Sequence, residues 1–186
     1  MKIKQLMATA AAAILMVTGA KADDWVNTRL CYDTGHDALF NANEASLDLF
    51  GTYQAFERHF LAWPNTSIHH GNYGGGVGGN YFFTRELGIG AEAAFLAGTG
   101  APHFTDHVGG NLFLRLPIDV AHIAPYVFGG GGRAFNPTWN WYWDFGVGLE
   151  FRFNPKMGIF ADARYIWKDE GARDQAALRA GLRLVF

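Results

Sequence analysis

The sequence predicts an all-β fold, an eight-stranded antiparallel up-and-down β-barrel, from three observations. Glycine and aromatic residues are both abundant, with 24 Gly, 16 Phe, 7 Tyr and 6 Trp among 186 residues, as in chains built from many short strands. Apolar residues recur at every second position from Ala45 onward, which is the period of a half-buried β-strand. Short and long connections alternate between the segments with this period, so successive strands are expected to be neighbours.

The segment from Tyr142 to Asn154 shows the alternation most clearly. Its odd-numbered positions are all bulky and apolar, whereas its even-numbered positions are mostly glycine and charged residues. Both faces of the segment Ile123–Ala134 carry apolar residues, so the pattern leaves open which of its faces points inward. The other six segments with this period begin near Ser46, Tyr73, Leu87, Val108, Gly158 and Leu178.

The first 22 residues predict a secretory signal peptide. Lys2 and Lys4 provide its positive start, and an apolar run follows from Leu6 to Val17. Ala20 and Ala22 are the small residues of the expected cleavage site, with Lys21 between them. The apolar run is shorter than the roughly 20 residues that a membrane-spanning helix needs, so we interpret it as an export signal.

Cleavage after Ala22 would divide the chain into a signal peptide (1–22), a periplasmic N-terminal extension (23–43) and the barrel (44–186). The extension is either an extra periplasmic piece or a short plug. Cys31 lies in the extension and is the one cysteine, so it cannot form a disulfide within the chain and is expected to be a free thiol. The formal net charge is -2, with 15 Lys and Arg against 17 Asp and Glu, which gives no basic excess for binding nucleic acid.

The charged residues of the predicted strands indicate which face is inside. A soluble barrel keeps its apolar face inward, whereas a membrane barrel turns it outward into lipid. All the charged residues of these polar faces are arginine or acidic, and arginine suits a packed interior because its planar guanidinium can bind several carboxylates. We therefore predict a transmembrane barrel whose lumen is closed by paired charges, with neighbouring glycines leaving room for the arginine side chains. The predicted lumen ionic network consists of Asp48, Glu92, Arg115, Asp144, Glu150, Arg152, Asp162, Arg164, Arg179 and Arg183.

Aromatic residues cluster near the ends of the predicted strands, as in the aromatic girdles that membrane barrels place at both interfaces. They are Tyr53, Phe56, Tyr81, Phe83, Trp139, Trp141, Trp143, Phe153, Tyr165 and Trp167. The core of a soluble sandwich also uses aromatic residues, so the girdles support the membrane interpretation only in combination with the charge pattern.

The last predicted strand, Ala177–Phe186, and the stretch Phe160–Tyr165 resemble the eight-stranded outer-membrane barrel superfamily of Gram-negative bacteria, which includes the OmpA transmembrane domain and the opacity-type surface proteins. The resemblance covers about residues 45–186. It implies a monomer in the bacterial outer membrane, reached by secretion through the inner membrane, that contacts outer-membrane lipids and lipopolysaccharide. It also implies assembly by the barrel-assembly machinery, which reads an alternating apolar signal that corresponds here to Leu182, Leu184 and Phe186.

No motif in the chain indicates a catalytic, cofactor-binding or metal site. The G-x-G-x-x-G match at Gly74, Gly76 and Gly79 lacks the strand–turn–helix context of a nucleotide site. The histidines His59, His69, His70, His103 and His107 show no fixed ligand spacing, so we expect them to be solvated.

The predicted function is therefore a non-enzymatic outer-membrane barrel with a structural or surface-interaction role, without cofactors. The alternatives are a narrow pore or a carrier of small hydrophobic molecules, and then an enzyme that modifies lipid A. A soluble lipocalin-like binder is the remaining alternative.

Overall fold

The computed structural model describes residues 38–56, 72–97, 105–135, 139–168 and 174–186. The predicted signal peptide with its cleavage residues Ala20 and Ala22, and Cys31, lie outside these ranges and stay predictions. Leu39–Phe186 forms one compact unit, which contains the eight described strands of the fold.

The fold is a closed antiparallel β-barrel of eight strands in sequential order, in which β1 pairs with both β2 and β8. This confirms the predicted all-β up-and-down barrel. A 3-10 turn at Asp119–Ala121 precedes the fifth strand. The strands are β1 Glu44–Phe56, β2 Asn72–Phe82, β3 Leu87–Leu96, β4 His107–Arg115, β5 Ile123–Ala134, β6 Asn140–Asn154, β7 Met157–Lys168 and β8 Gln175–Val185.

The connections differ between the two ends of the barrel. At one end, called the short-turn end, β2–β3, β4–β5 and β6–β7 are joined by 83–86, 116–122 and 155–156. Lys156 N–H donates to Asn154 Oδ1 at 2.9 Å and closes the tightest of these turns. At the other end, called the long-loop end, the connections are 57–71, 97–106, 135–139 and 169–174.

The barrel is apolar outside and polar inside. Leu49, Leu112 and Leu182 point outward and are 44%, 56% and 50% exposed, whereas Glu150 and Arg152 point into the lumen and are 0% exposed. A soluble protein has the opposite distribution: its charged side chains face water and are almost never fully buried unless they are paired.

The two faces of β5, which the sequence pattern left open, are assigned by the structure. Ala124, Tyr126 and Phe128 are buried in the lumen, and the alternating residues point outward. The two rings fit inside because the facing positions on β6 are Gly148 and Gly146, which have no side chains.

The lumen glycines make room chiefly for aromatic rings, so the expectation that they accommodate arginines was wrong at most positions. A Cβ atom added at Gly146 would lie 2.5 Å from Phe128 Cε1, and one at Gly148 would lie 2.6 Å from Tyr126 Oη. Of the glycines in the described strands, Gly158 alone has an arginine side chain among its nearest neighbours. The lumen arginines instead lie over the faces of these rings.

Replacing Gly146 by Ala should lower the free energy of unfolding by about 1–3 kcal/mol, because the new methyl overlaps the Phe128 ring in a packed lumen. The matched control is Gly79→Ala on the outward face, where the new Cβ lies 3.9 Å from its nearest neighbour, Ser46 O. Urea unfolding of both variants in the same detergent checks this. Equal midpoints for the two variants would contradict the packing argument.

Candidate functional site: the ionic network of the lumen

All ten side chains predicted for the lumen network are buried inside the barrel. Each of the five arginines pairs with at least one carboxylate, and no lysine takes part in these pairs. The pairs form two groups, one toward the long-loop end and one toward the short-turn end.

The group toward the long-loop end is centred on Glu92 of β3. Arg164 of β7 donates to Glu92 through Nη1 at 2.5 Å and Nη2 at 3.0 Å, and to Asp144 through Nη1 at 2.7 Å. Arg179 of β8 donates to Glu92 at 2.5 Å and clamps Asp162 with two bonds of 2.8 Å and 2.7 Å. The contacts of Glu92 connect β3 with β7 and β8, which are not its neighbours in the barrel wall, whereas the other two pairs join neighbouring strands.

The group toward the short-turn end is centred on Arg183 of β8. Its Nε and Nη2 donate to the two oxygens of Asp48 at 2.7 Å and 2.6 Å, and its Nη1 donates to Glu150 Oε2 at 2.5 Å. Arg152 donates to the other oxygen of Glu150 at 2.6 Å. Asn80 also donates to Asp48 Oδ2, at 2.8 Å.

Glu44 belongs to this second group, although the sequence analysis did not include it. It accepts from Arg115 Nη1 at 3.0 Å and from Arg152 Nη1 at 2.7 Å, and a second contact joins it to Arg152 Nη2. The available signal was the alternation, because Glu44 continues the series of inward-pointing even-numbered positions Ser46 and Asp48. Without Glu44, Arg115 would have no carboxylate partner among the described residues.

Aromatic rings separate and cover the guanidinium groups. The guanidinium carbon of Arg179 lies 4.8 Å from the ring centre of Phe50, and that of Arg183 lies 5.1 Å from that of Phe160. Tyr126 lies between the two groups and donates its hydroxyl to Asp162 at 3.0 Å. A guanidinium can bind carboxylates with its edge and a ring with its face at the same time, which an ammonium cannot do.

A short segment before β1, Leu39–Asn41, closes the short-turn end and is called the plug segment. Phe40 is 0% exposed, and its ring lies beneath the Arg152 guanidinium at 4.5 Å. The Leu39 N–H donates to Asp119 Oδ1 at 3.2 Å, and Arg85 Nε donates to the Phe40 carbonyl at 3.0 Å. The side chains of Arg85 and Asp119 also form an ion pair.

The long-loop end of the lumen contains a small pocket of about 20 Å³, the size that holds about one water molecule. Tyr142, Lys168 and Gln175 are among the residues that line it. The Tyr142 hydroxyl has no hydrogen-bond partner among the described residues, and its ring packs edge-on against His107 at 6.1 Å. The other four histidines named above lie outside the described residues.

The outward face carries an apolar belt with aromatic pairs at both ends. Tyr53 and Tyr73 lie 4.9 Å apart at the long-loop end, and Tyr81 and Phe83 lie 5.2 Å apart at the short-turn end. The predicted assembly-signal residues share the outward face of β8, with Leu182 and Leu184 on the belt; Phe186 just after the strand is 78% exposed. No helix in the described ranges is long and apolar enough to cross a membrane.

A closed eight-stranded barrel with an apolar exterior and a charged, filled interior is the architecture of small outer-membrane barrels. The N-terminal barrel domain of Pseudomonas aeruginosa OprF matches this chain with a TM-score of 0.51 and 16% identity, covering 78% of this chain and 99% of that chain. Neisserial surface protein A matches with a TM-score of 0.53 and 11% identity, covering 76% and 95%. Ail, the attachment invasion locus protein of Yersinia pestis, matches with a TM-score of 0.51 and 15% identity, covering 78% of this chain and 99% of that chain.

These comparisons confirm the predicted resemblance at the level of the fold: the chain has the fold of the eight-stranded outer-membrane barrels. No protein-family model matches the chain, and no curated protein matches it in sequence.

Replacing Glu92 by Gln should lower the free energy of unfolding by about 3 kcal/mol, because Arg164 and Arg179 would lose the carboxylate they share inside the lumen. Urea unfolding followed by tryptophan fluorescence measures the change. The matched control is Glu86→Gln in a short turn, where the amide oxygen can still accept the 3.0 Å bond from Thr84, and we expect a change within about 0.5 kcal/mol. A Glu92 variant as stable as this control would contradict a structural role of the network.

Proposed function

We propose that this protein is a non-enzymatic barrel of the bacterial outer membrane with a structural or surface-interaction role and a closed lumen. The observation that supports this most directly is the inverted distribution of side chains. Large apolar residues cover the outside of the strands, and paired charges fill the inside. An exterior of this kind is stable in lipid, whereas a soluble monomer rarely exposes an apolar patch larger than a few hundred Å².

The filled lumen favours a closed barrel over the alternative of a narrow pore. Going from the short-turn end inward, the axis is occupied by Phe40, then by the Arg152–Glu44 pair and then by Arg183 with its two carboxylates. The rings of Tyr126 and Phe128 and then the Glu92 group follow. A solute would have to separate several charge pairs in succession, each of which is costly to break when buried.

The closed wall also counts against a carrier of small hydrophobic molecules. Every described strand is paired on both sides over most of its length, from β1–β2 around to β8–β1. The registers are continuous apart from one irregularity between Arg152 and Asn154 of β6, close to the short-turn end. A lateral exit for a hydrophobic molecule needs a gap in such a wall, and the described strands offer none.

We propose that the surface role is carried out at the long-loop end. The expected partners follow from the proposed membrane location. Outer-membrane lipids and lipopolysaccharide would surround the apolar belt, and the barrel-assembly machinery would read the outward residues Leu182, Leu184 and Phe186. In a closed barrel the backbone hydrogen bonds of each strand are satisfied by its two neighbours. No sheet edge is left to pair with a second chain, so the protein can be a monomer. Ail, which has a similar fold, has been crystallised in complex with a heparin analogue, and this supports a surface-interaction role for the present barrel.

Cell fractionation tests the proposed location. The full chain expressed in a Gram-negative host should appear in the outer-membrane fraction, resist extraction by urea, and migrate more slowly on a gel after boiling, because the folded barrel is compact and stable in detergent. A fully soluble periplasmic product would contradict the proposal. A periplasmic binding protein and a known porin, run in parallel, calibrate the fractions.

Planar-bilayer recording tests whether the lumen is closed. Purified protein should give no conductance steps, and Arg183→Ala should also give none, because Phe40 and the Glu92 group still block the axis on either side of residue 183. A known porin in the same bilayer serves as the positive control. Steady conductance of the unmodified protein would support the pore alternative instead.

A further inference from the structure

One charged side chain stands on the outside of the described strands. At the outward-pointing positions of the eight described strands, no residue is charged except Arg133 of β5. A cation on the lipid-facing side of a membrane barrel is unfavourable at the middle of the bilayer and is tolerated near the interfaces. Arg133 is the second-last residue of its strand and lies at the long-loop end.

The surroundings of Arg133 form a half-open aromatic site. Its guanidinium carbon lies 4.7 Å from the ring centre of Trp139 and 5.3 Å from that of Trp141, which is its cross-strand partner on β6. The Trp139 ring is held in turn by Phe135, with centres 5.6 Å apart. The two indoles are 66% and 61% exposed, so this cluster faces the surroundings of the barrel.

Arg133 differs from the lumen arginines in what its hydrogen-bond donors meet. Each lumen arginine directs its edge at carboxylates, whereas Arg133 contacts ring faces and forms no ion pair with a carboxylate in the described part of the chain. A guanidinium has five N–H donors in its plane, and stacking occupies its faces and leaves those donors available. Such a fixed fork matches the geometry of a phosphate, which it can bind with two parallel hydrogen bonds.

We propose that Arg133, Trp139 and Trp141 form a binding site for the phosphate monoester of a membrane lipid in the leaflet at the long-loop end. The inference rests on the proposed membrane location. A lipid is the expected source of the phosphate because the site lies on the wall of the barrel, next to the outward Val108 and within the aromatic girdle. The two indoles keep the site at the depth of the membrane interface, and the Arg133 guanidinium between them selects the phosphate head group.

Quenching of tryptophan fluorescence by brominated lipids tests the site. The protein is refolded into phosphatidylcholine vesicles that contain either brominated phosphatidylcholine or brominated phosphatidic acid, whose head group is a phosphate monoester. Four tryptophans, residues 139, 141, 143 and 167, lie at the long-loop end and report on lipids there. We expect brominated phosphatidic acid to associate with the protein about fivefold more strongly than brominated phosphatidylcholine does. This factor is the equivalent of one cationic contact of about 1 kcal/mol.

Substitutions test whether Arg133 causes the preference for phosphatidic acid. Arg133→Gln should reduce the fivefold preference to about one, whereas the charge-matched control Lys156→Gln, at an exposed turn of the other end, should retain it. Arg133→Lys should keep part of the preference, since it keeps the charge and loses the fork. Addition of inorganic phosphate should leave the preference unchanged, and its loss would instead assign the site to a free anion and overturn the lipid proposal.

The outcomes separate this inference from the proposed function. If the unmodified protein inserts, shown by its heat-dependent gel shift, and is quenched equally by both lipids, the lipid site is wrong and the barrel assignment stands. The lipid site is also wrong if Arg133→Gln inserts and keeps the full preference. If the unmodified protein does not insert into any vesicle, both the proposed location and the lipid site are contradicted.

Discussion

The pairing of buried arginines with buried carboxylates is the interaction on which the rest of this structure depends. A charge inside a packed lumen is stable only with a partner, and some of the partners here come from across the barrel: Glu92 of β3 meets Arg164 of β7 and Arg179 of β8. The hydrogen-bond ladders of the wall join only neighbouring strands. The ionic contacts therefore hold together strands that the ladders do not connect, and they fix how the wall closes around its contents.

The use of arginine, glycine and aromatic rings in the lumen follows from this constraint. Carboxylates take the edges of the guanidinium groups, rings such as Phe50 and Phe160 cover their faces, and glycines such as Gly146 give the rings space. The lumen is thus filled without an apolar core of the usual kind. Because the charges occupy the inside, the apolar residues are left for the outside, which is the distribution that suits lipid as a surrounding solvent.

The two ends of the barrel differ in how their side of the lumen is filled. The short-turn end is sealed by the plug segment, in which Phe40 packs beneath Arg152 and the backbone bonds to Asp119. The long-loop end carries a small polar pocket, and the lone outward cation of the described strands, Arg133, lies there between two indoles. One end of the lumen is therefore sealed, and the other offers polar contacts.

The sequence by itself determined the fold, the strand count and the inward positions of the ten charged residues, because alternation at period two is a local property of each strand. It could not assign the faces of β5, where both are apolar, since the choice depends on the glycines opposite on β6. It also missed Glu44 and Phe40, whose roles arise from contacts with Arg115 and Arg152, far away in the chain. Which carboxylate meets which arginine, and what the glycines make room for, are decided by the register and closure of the barrel, which are tertiary properties.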